Sequence, residues 1–518
     1  MNTTPVWSVD ARTGARTAQV TVEASTEGVD DAVRAAHAAH PALADRTRRA
    51  AFLRAAADRI EAHGAELIAT ADAETALGTG RLTGELARTS FQLRAFAAVV
   101  DEGAFLDVVI DHADPQAAPA PRPDLRRWKV PVGVVAVFAA SNFPFAFSVP
   151  GGDTASALAA GCAVVVKAHP DHPATSELAA KALREGAEAV GLPADVVRLV
   201  HGRQAGVDLV QHPLVSAAGF TGSIAGGRAL YDLAAARPNP IPFHGELGSL
   251  NPVVVTEAAA AERAEEIGAG LAGSFTLGMG QFCTKPGLVL VPAGEAGDRL
   301  EKALTAGAGD AASGALLDAR MRDGFLAGFA ARAGLPGVSA PVGAGEDGYA
   351  VRPGYLTVPA ALLADGAAGA DSGDGGDDAY GLLLEECFGP VTVVVRYTGA
   401  AEVEAVLGRL PGNLTATLHA EPGEPGSAEL LARLTPLAGR ILFGGWPTGV
   451  AVAPAMQHGG PYPATTSTST SVGGTAIERW LRPVAYQSVP QALLPVELRD
   501  GDGADGGVPR RVDGVLER

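Results

Sequence analysis

Apolar residues recur at intervals of three and four through residues 28–63, "GVDDAVRAAHAAHPALADRTRRAAFLRAAADRIEAH", with alanine and arginine filling the rest, which predicts helix. Residues 64–101 continue in the same style. Residues 105–131, "FLDVVIDHADPQAAPAPRPDLRRWKVP", break that period with prolines and β-branched residues and read as an extended excursion. From residue 132 the pattern becomes short apolar runs separated by amphipathic stretches. "VGVVAVFAA" (132–140), "AVVVK" (163–167), "VVRLVHG" (196–202) and "LVSAAGFTGS" (214–223) read as buried strands. "GGDTASALAAGC" (151–162) and "SELAAKALREGAEAVG" (176–191) read as helices, the second with a glycine stop. Strands alternating with helices at this spacing predict an α/β fold built on a parallel sheet. The pattern resumes after residue 250 with "NPVVV", "GLVLV" and "PVTVVVRY", which predicts a second α/β domain.

Two stretches interrupt the pattern. Residues 362–381, "LLADGAAGADSGDGGDDAYG", and 499–518, "RDGDGADGGVPRRVDGVLER", are rich in Gly, Asp and Ala and offer little to bury. Both are expected to be mobile, rather than acidic regulatory elements.

The chain has 518 residues, more than one hydrophobic core usually absorbs, so two or three domains are expected. A hydrophobic fraction of 47% with 19% charged residues fits a soluble globular protein. The formal net charge of -18 argues against nucleic acid or an anionic membrane surface as a partner. Apolar runs such as Val132–Ala140 are too short to span a bilayer, and the first residues show no signal-peptide pattern. The three cysteines are far apart and form no CxxC, which favours a reducing compartment and disfavours a zinc site. A cytoplasmic enzyme is expected, with no metal.

Each cysteine has a different setting. Cys162, in "AAGCAVVV", reads as a small core residue. Cys387, in "EECFGP", stands beside two carboxylates that would raise its pKa, and reads as structural. Cys283, in "GMGQFCTKPG", lies among Gly278, Gly280 and Gly287, which let backbone approach backbone. Spacing alone leaves Cys283 open between a catalytic and a structural thiol. Glu246, between glycines in "FHGELGSLNPVVV", has little to do for packing and is a candidate general base. Asn142 follows a strand end in "FAASNFPFAFSVPGG", where ligand crevices of open α/β sheets lie, and its amide can donate to an oxyanion. "GFTGSIAGGRAL" (219–230) runs from strand through glycine and Ser223 into a helix, an anion-binding start that is not GxGxxG.

In this order along the chain, these strings resemble the aldehyde dehydrogenase superfamily, over about residues 5 to 495. "SNFPFAFSVPGGDTASALAAGCAVVVKAHP", "ELGSLNP", "GQFCTKPG", "GNLTATLHA" and "HGGPYPATT" point to its 2,5-dioxovalerate (2-oxoglutarate semialdehyde) dehydrogenase branch, which is similar to NADP-dependent aldehyde dehydrogenases. The resemblance implies two Rossmann-like α/β domains plus an extended oligomerisation arm. Residues 1–109 and 132–246 would bind the cofactor, 247–445 would be catalytic, and 110–131 with 446–495 would form the arm, leaving 499–518 as a mobile tail. It implies oxidation of an aldehyde, 2-oxoglutarate semialdehyde first and a general medium-chain aldehyde as the alternative, by a homodimer or homotetramer.

Residue by residue, the resemblance makes Cys283 the nucleophile, Glu246 the base for thioester hydrolysis and Asn142 the oxyanion donor. Lys167 would contact the adenosine ribose, Ser223 the pyrophosphate, Glu386 the nicotinamide ribose, and Phe388 would pack by the ring. NADP is the expected cofactor, with NAD possible. Arg203, in "HGRQAG", matches a position that can hold the 2'-phosphate. Pro170, where the NADP-using relatives carry a small polar residue, weakens that grip. Glu246 weighs against an acylating enzyme that uses coenzyme A, and the intact Cys283, Glu246 and Asn142 weigh against a non-catalytic member. The expected entrance loop, "MQHGGPYPATTSTSTSVGG" (456–474), contains His458 and many hydroxyls but no Lys or Arg. Such a loop could meet a substrate carboxylate through neutral hydrogen bonds, or equally admit an uncharged aldehyde.

Overall fold

Pro41 cannot donate the backbone bond that would carry the first helix onward, so the helical period read over 28–63 is divided into two helices. The computed structural model describes residues 4–365, 380–501 and 507–517. A hairpin of β1 (Pro5–Val9) and β2 (Arg16–Val22) leads into α1 (Thr26–Ala39). After a tight turn over His40–Ala44, Asp45 restarts the helix by accepting the Arg48 N–H at 3.0 Å. Then come α2 (Arg46–Ala62), α3 (Gly64–Thr75) and α4 (Thr79–Glu102). The excursion that follows contains β3 (Val108–Asp111) and β4 (Leu125–Pro131).

The first parallel sheet comes next, as β5 (Val134–Phe138), α5 (Gly152–Ala160), β6 (Val164–Lys167), α6 (Pro173–Ala189), β7 (Val197–Val200), α7 (Arg203–Gln211), β8 (Val215–Thr221), α8 (Ile224–Ala235) and β9 (Phe243–Glu246). Its spatial order is β7-β6-β5-β8-β9, all parallel. Every residue of β5 is buried, as expected of a central strand covered on both faces. The chain moves outward from β5 to β7, then returns to add β8 and β9 on the other side. The crevice between the β5 and β8 ends is thus a topological switch point, where ligands of such sheets bind.

A second sheet has seven strands, in the order Ser339–Val342, Gly354–Pro359, Val391–Tyr397, Leu288–Pro292, Val253–Val255, Asn413–His419 and Ala438–Phe443. All pairings are parallel except that of the edge strand Ser339–Val342. Alternation along these strands feeds two cores: Val254, Leu290 and Val395 pack on one face, and Val253, Val289 and Val394 on the other.

The third sheet joins distant parts of the chain. Leu481–Gln487 pairs antiparallel with β4, β4 with β3, and β3 runs parallel to Arg510–Val512. Here the structure departs from the expected tail. Within 499–518, Arg510–Val512 and Val515–Glu517 form a hairpin that extends this sheet. Its turn is Asp513-Gly514, both with positive φ, the geometry a two-residue hairpin turn needs. Asp513 also holds His112 at 2.7 Å, and Asp500 holds Arg126 at 2.8 Å, so the segment is fastened by charge as well as by backbone pairing. Most of the expected insertion at 362–381 lies outside the described residues. Among those described, no helix is long and apolar enough to cross a membrane.

Candidate active site

Five of the residues singled out in the sequence sit at the carboxyl edge of the first sheet. Arg203 opens α7 just past β7, Lys167 ends β6, Asn142 follows β5, Ser223 follows β8, and Glu246 ends β9. Sheet order therefore lays them side by side as Arg203, Lys167, Asn142, Ser223 and Glu246. The exit of β5 is held by buried His172, whose Nε2 lies 2.9 Å from the Ala140 carbonyl. Ser223 is the N-cap of α8, its Oγ accepting the Gly226 N–H at 3.2 Å.

The Cys283 loop arrives from the other side of the crevice. Asn251, held at a φ of 55° in "ELGSLNP", donates its amide to the Cys283 carbonyl at 2.8 Å and to the Lys285 carbonyl at 3.0 Å. Lys285 in turn donates from Nζ to the Cys387 and Val391 carbonyls, both at 2.8 Å. That clamp fixes the loop carrying Glu386 and Phe388 beside the Cys283 loop. The two loops touch backbone to backbone: Gly280 has a φ of 65°, and a Cβ there would fall 2.2 Å from the Gly389 carbonyl oxygen. Asn142 reaches the same loop, with Nδ2 3.0 Å from the Gln281 carbonyl. One of its two N–H groups remains for another acceptor.

At the centre, His458 stands between the thiol and the carboxylate. Its Nε2 is 3.6 Å from Cys283 Sγ and 2.9 Å from Glu246 Oε1. The Ser471 hydroxyl donates to the other carboxylate oxygen, Oε2, at 2.6 Å. Glu246 is 4% exposed and His458 1%. Burial and the Glu246 carboxylate together push the Cys283 thiol well above its ordinary range, so it is protonated at rest. Glu246 goes the other way: burial opposes its charge, but His458, Ser471 and Cys283 outweigh that and hold its pKa below the usual value. The sulfur, imidazole and carboxylate atoms lie within 4.8 Å of one another, the one group among the described residues with the spacing to ligate a metal ion.

The hydroxyl-rich loop does not do what its composition suggested. Thr465 and Thr466 bond to the carbonyls of Gly460, Ser467 and Phe243, and Thr470 to that of Val472. Ser467 bonds to Ser469 and His244, and Ser471 to Glu246. These hydroxyls build the loop and tie it to β9, which leaves few to face a substrate.

The structure thus brings Cys283, Glu246, Asn142 and Glu386 to one crevice, with Phe388 on the loop beside Cys283 and with Lys167, Arg203 and Ser223 along the edge of the first sheet. Cys162 is fully buried, its thiol pushed up to about 11 by desolvation. His458 was expected only to line the entrance and instead contacts both reactive groups. Asn251, Lys285 and Ser471 were not foreseen. All three lie within the motifs that carry the resemblance or the entrance loop, but their contacts arise between distant segments.

Residues 2–328 match the sequence model of the aldehyde dehydrogenase family. The chain belongs to the aldehyde dehydrogenase family. Alpha-ketoglutaric semialdehyde dehydrogenase 2 of Azospirillum brasilense is 46% identical over 516 residues, covering 98% of this chain and 94% of the relative. Alpha-ketoglutaric semialdehyde dehydrogenase of Acinetobacter baylyi is 41% identical, covering 99% and 96%. Among solved structures, the fold is similar to 1-pyrroline-5-carboxylate dehydrogenase from Thermus, determined with bound NAD, with a TM-score of 0.77, 21% identity and coverage of 93% and 90%.

The crevice of this aldehyde dehydrogenase fits a nicotinamide dinucleotide. Neither Lys167 nor Arg203 has an ion pair among the described residues, and Arg203 is exposed. The N–H groups of the first turn of α8 have no partner within the helix, a site suited to phosphate. A Cβ at Gly248 would fall 2.5 Å from Glu386 Oε2, so the glycine gives that carboxyl its place. Burial raises Glu386 to about 7.

Proposed function

We propose that this protein oxidises 2-oxoglutarate semialdehyde to 2-oxoglutarate and that Cys283 is its nucleophile. The observation that carries the chemistry is the line Cys283–His458–Glu246. The thiol is protonated at rest, so attack needs a base within reach. His458 Nε2 accepts the thiol proton, with the Glu246 carboxylate stabilising the imidazolium. The sulfur adds to the aldehyde carbon, and the carbonyl electron pair moves onto oxygen. The free N–H of Asn142 and the Cys283 backbone N–H receive that oxyanion. A nicotinamide dinucleotide, which Lys167, Arg203, Ser223, Glu386 and Phe388 would hold, would supply the hydride acceptor, and loss of hydride from the adduct leaves the acyl group on Cys283 as a thioester. Glu246 then takes a proton from water, whose oxygen attacks the thioester carbon and releases the acid and the Cys283 thiolate.

For the cofactor we propose NADP first, with NAD accepted. Arg203 offers an uncommitted forked cation at the adenosine end. Opposing it, Glu23 packs against Gly202, where a Cβ would fall 2.9 Å from its own Cβ, and Pro170 contributes no donor.

The substrate reading is supported by two relatives that match nearly the whole chain and bear that substrate in their names. It is tested by kcat/KM for 2-oxoglutarate semialdehyde against pentanal, without coenzyme A. We expect a ratio well above one and the free acid as product. A ratio below one points instead to a general aldehyde dehydrogenase.

A further inference from the structure

A semialdehyde bearing a carboxylate needs a partner for that charge, and the entrance loop supplies no cation: it has no Lys or Arg, and its hydroxyls from 465 to 471 other than that of Thr468 are bonded within the protein. The cations near the reacting centre come from elsewhere. Arg81, Glu85 and Arg88 lie on one stripe of α4 at spacings of four and three. Arg81 donates to the Asn142 carbonyl at 2.6 Å, and its guanidinium stands 4.9 Å from the Phe143 ring centroid and 4.5 Å from that of Phe282. Glu85 accepts the Phe145 and Ala146 N–H groups at 2.8 and 3.0 Å. Arg88 lies over Phe147, 5.2 Å from the ring centroid. Phe147 is 5.9 Å, centroid to centroid, from His458, the neighbour of Cys283. Arg81 and Arg88 therefore pack on the aromatic side chains that adjoin the Cys283 loop and His458.

Of Arg81, Arg88 and Arg440, Arg88 makes the longest hydrogen bond to the protein. Arg440, the other cation whose charge is felt at Cys283, donates to the carbonyls of Gly449 and Pro447, both at 2.6 Å. Arg81 donates to Asn142 and is wedged between two rings, with its Nε and Nη1 left without acceptors. Arg88 makes one long hydrogen bond, 3.3 Å from Nη2 to the Val450 carbonyl, and no ion pair among the described residues. Its Nη1 is enclosed and has no partner. An enclosed guanidinium donor without an acceptor is unfavourable unless something else completes it. The segment 447–450 is held by Arg440 on one side and by Arg88 on the other.

We propose that Arg88 reads the far carboxylate of the substrate, pairing its guanidinium with that group while the aldehyde carbon lies at Cys283 Sγ. The proposal rests on the semialdehyde reading above. A guanidinium meets a carboxylate with two parallel N–H donors, which fixes direction as well as charge. An uncharged aldehyde of equal length leaves the guanidinium unpaired, so the site selects against it.

The test compares wild type with Arg88→Met, which keeps the aliphatic stem, and Arg88→Lys. The substrates are 2-oxoglutarate semialdehyde, succinate semialdehyde and pentanal, and glutarate serves as an unreactive competitor. Dinucleotide binding and the thermal midpoint report on folding. We expect Arg88→Met to lower kcat/KM for the two carboxylated aldehydes by about 10- to 100-fold more than for pentanal, the scale of a hydrogen bond to a charged group. The change should fall mainly on KM, Arg88→Lys should recover part of it, and inhibition by glutarate should weaken in parallel. Equal losses on all three aldehydes, or unchanged inhibition by glutarate, overturn the role of Arg88 and leave the semialdehyde reading standing. A wild-type enzyme that prefers pentanal to both carboxylated aldehydes overturns both. If Arg88→Met does not fold, the same ratios read on Arg88→Lys decide.

Discussion

His458 Nε2 lies 2.9 Å from Glu246 Oε1, and the same nitrogen lies 3.6 Å from Cys283 Sγ. A single ring atom thus touches both the proton donor and the anion that can stabilise the transferred proton. We predict that His458→Asn lowers kcat/KM by about 10²-fold or more, within the range of a lost general base. Steady-state rates with a saturating dinucleotide check this. A loss under fivefold would mean that the thiol proton reaches Glu246 without the imidazole.

The thiol's own titration gives a second prediction. Burial raises its pKa, and the Glu246 carboxylate raises it further. Removing that negative charge lowers the pKa, so Glu246→Gln should move the pH profile of Cys283 alkylation by iodoacetamide to lower pH. In wild type the rate should still be rising above pH 9. A profile that moves upward in the variant would show that Glu246 acts on the thiol as a base rather than through its charge.

Glu386 gives a third. Its carboxyl is raised to about 7 by burial, so it is neutral below that pH and charged above. A carboxylate accepts hydrogen bonds from ribose hydroxyls better than its neutral form does. The KM for dinucleotide should therefore fall as pH rises through about 7, and Glu386→Gln should flatten that step. A step of equal size in the variant assigns the titration elsewhere.

Arg203 tests the choice of dinucleotide. We expect Arg203→Ala to raise the KM for NADP about tenfold or more and to leave the KM for NAD within about twofold, since only NADP offers a 2'-phosphate to the fork. Equal changes would mean that Arg203 does not read the phosphate.

Much of this was legible in the chain because both sheets are parallel and buried. Continuous apolar runs such as "VVAVF" mark their strands, and the strand ends mark the site edge, so Asn142, Ser223 and Glu246 could be placed before any contact was known. The C-terminal hairpin was hidden by averaging: a Gly- and Asp-rich composition masked the turn signal Asp513-Gly514 between Val512 and Val515. Arg88 carried no local signal at all. On a helix with three arginines, nothing but the fold distinguishes one that packs beside the reacting centre from one that faces water. The hydroxyls of 465–471 show the converse limit, since sequence shows that donors exist but not which carbonyls already occupy them.

The central claim is that Cys283 carries the acyl group and Glu246 releases it. Glu246→Gln, mixed with dinucleotide and 2-oxoglutarate semialdehyde, quenched in acid and digested, should yield a Cys283 peptide heavier by the acyl group, formed with the first burst of reduced dinucleotide. A Cys283 peptide left unmodified while that burst appears, or the acyl group found on Cys387, would contradict the account.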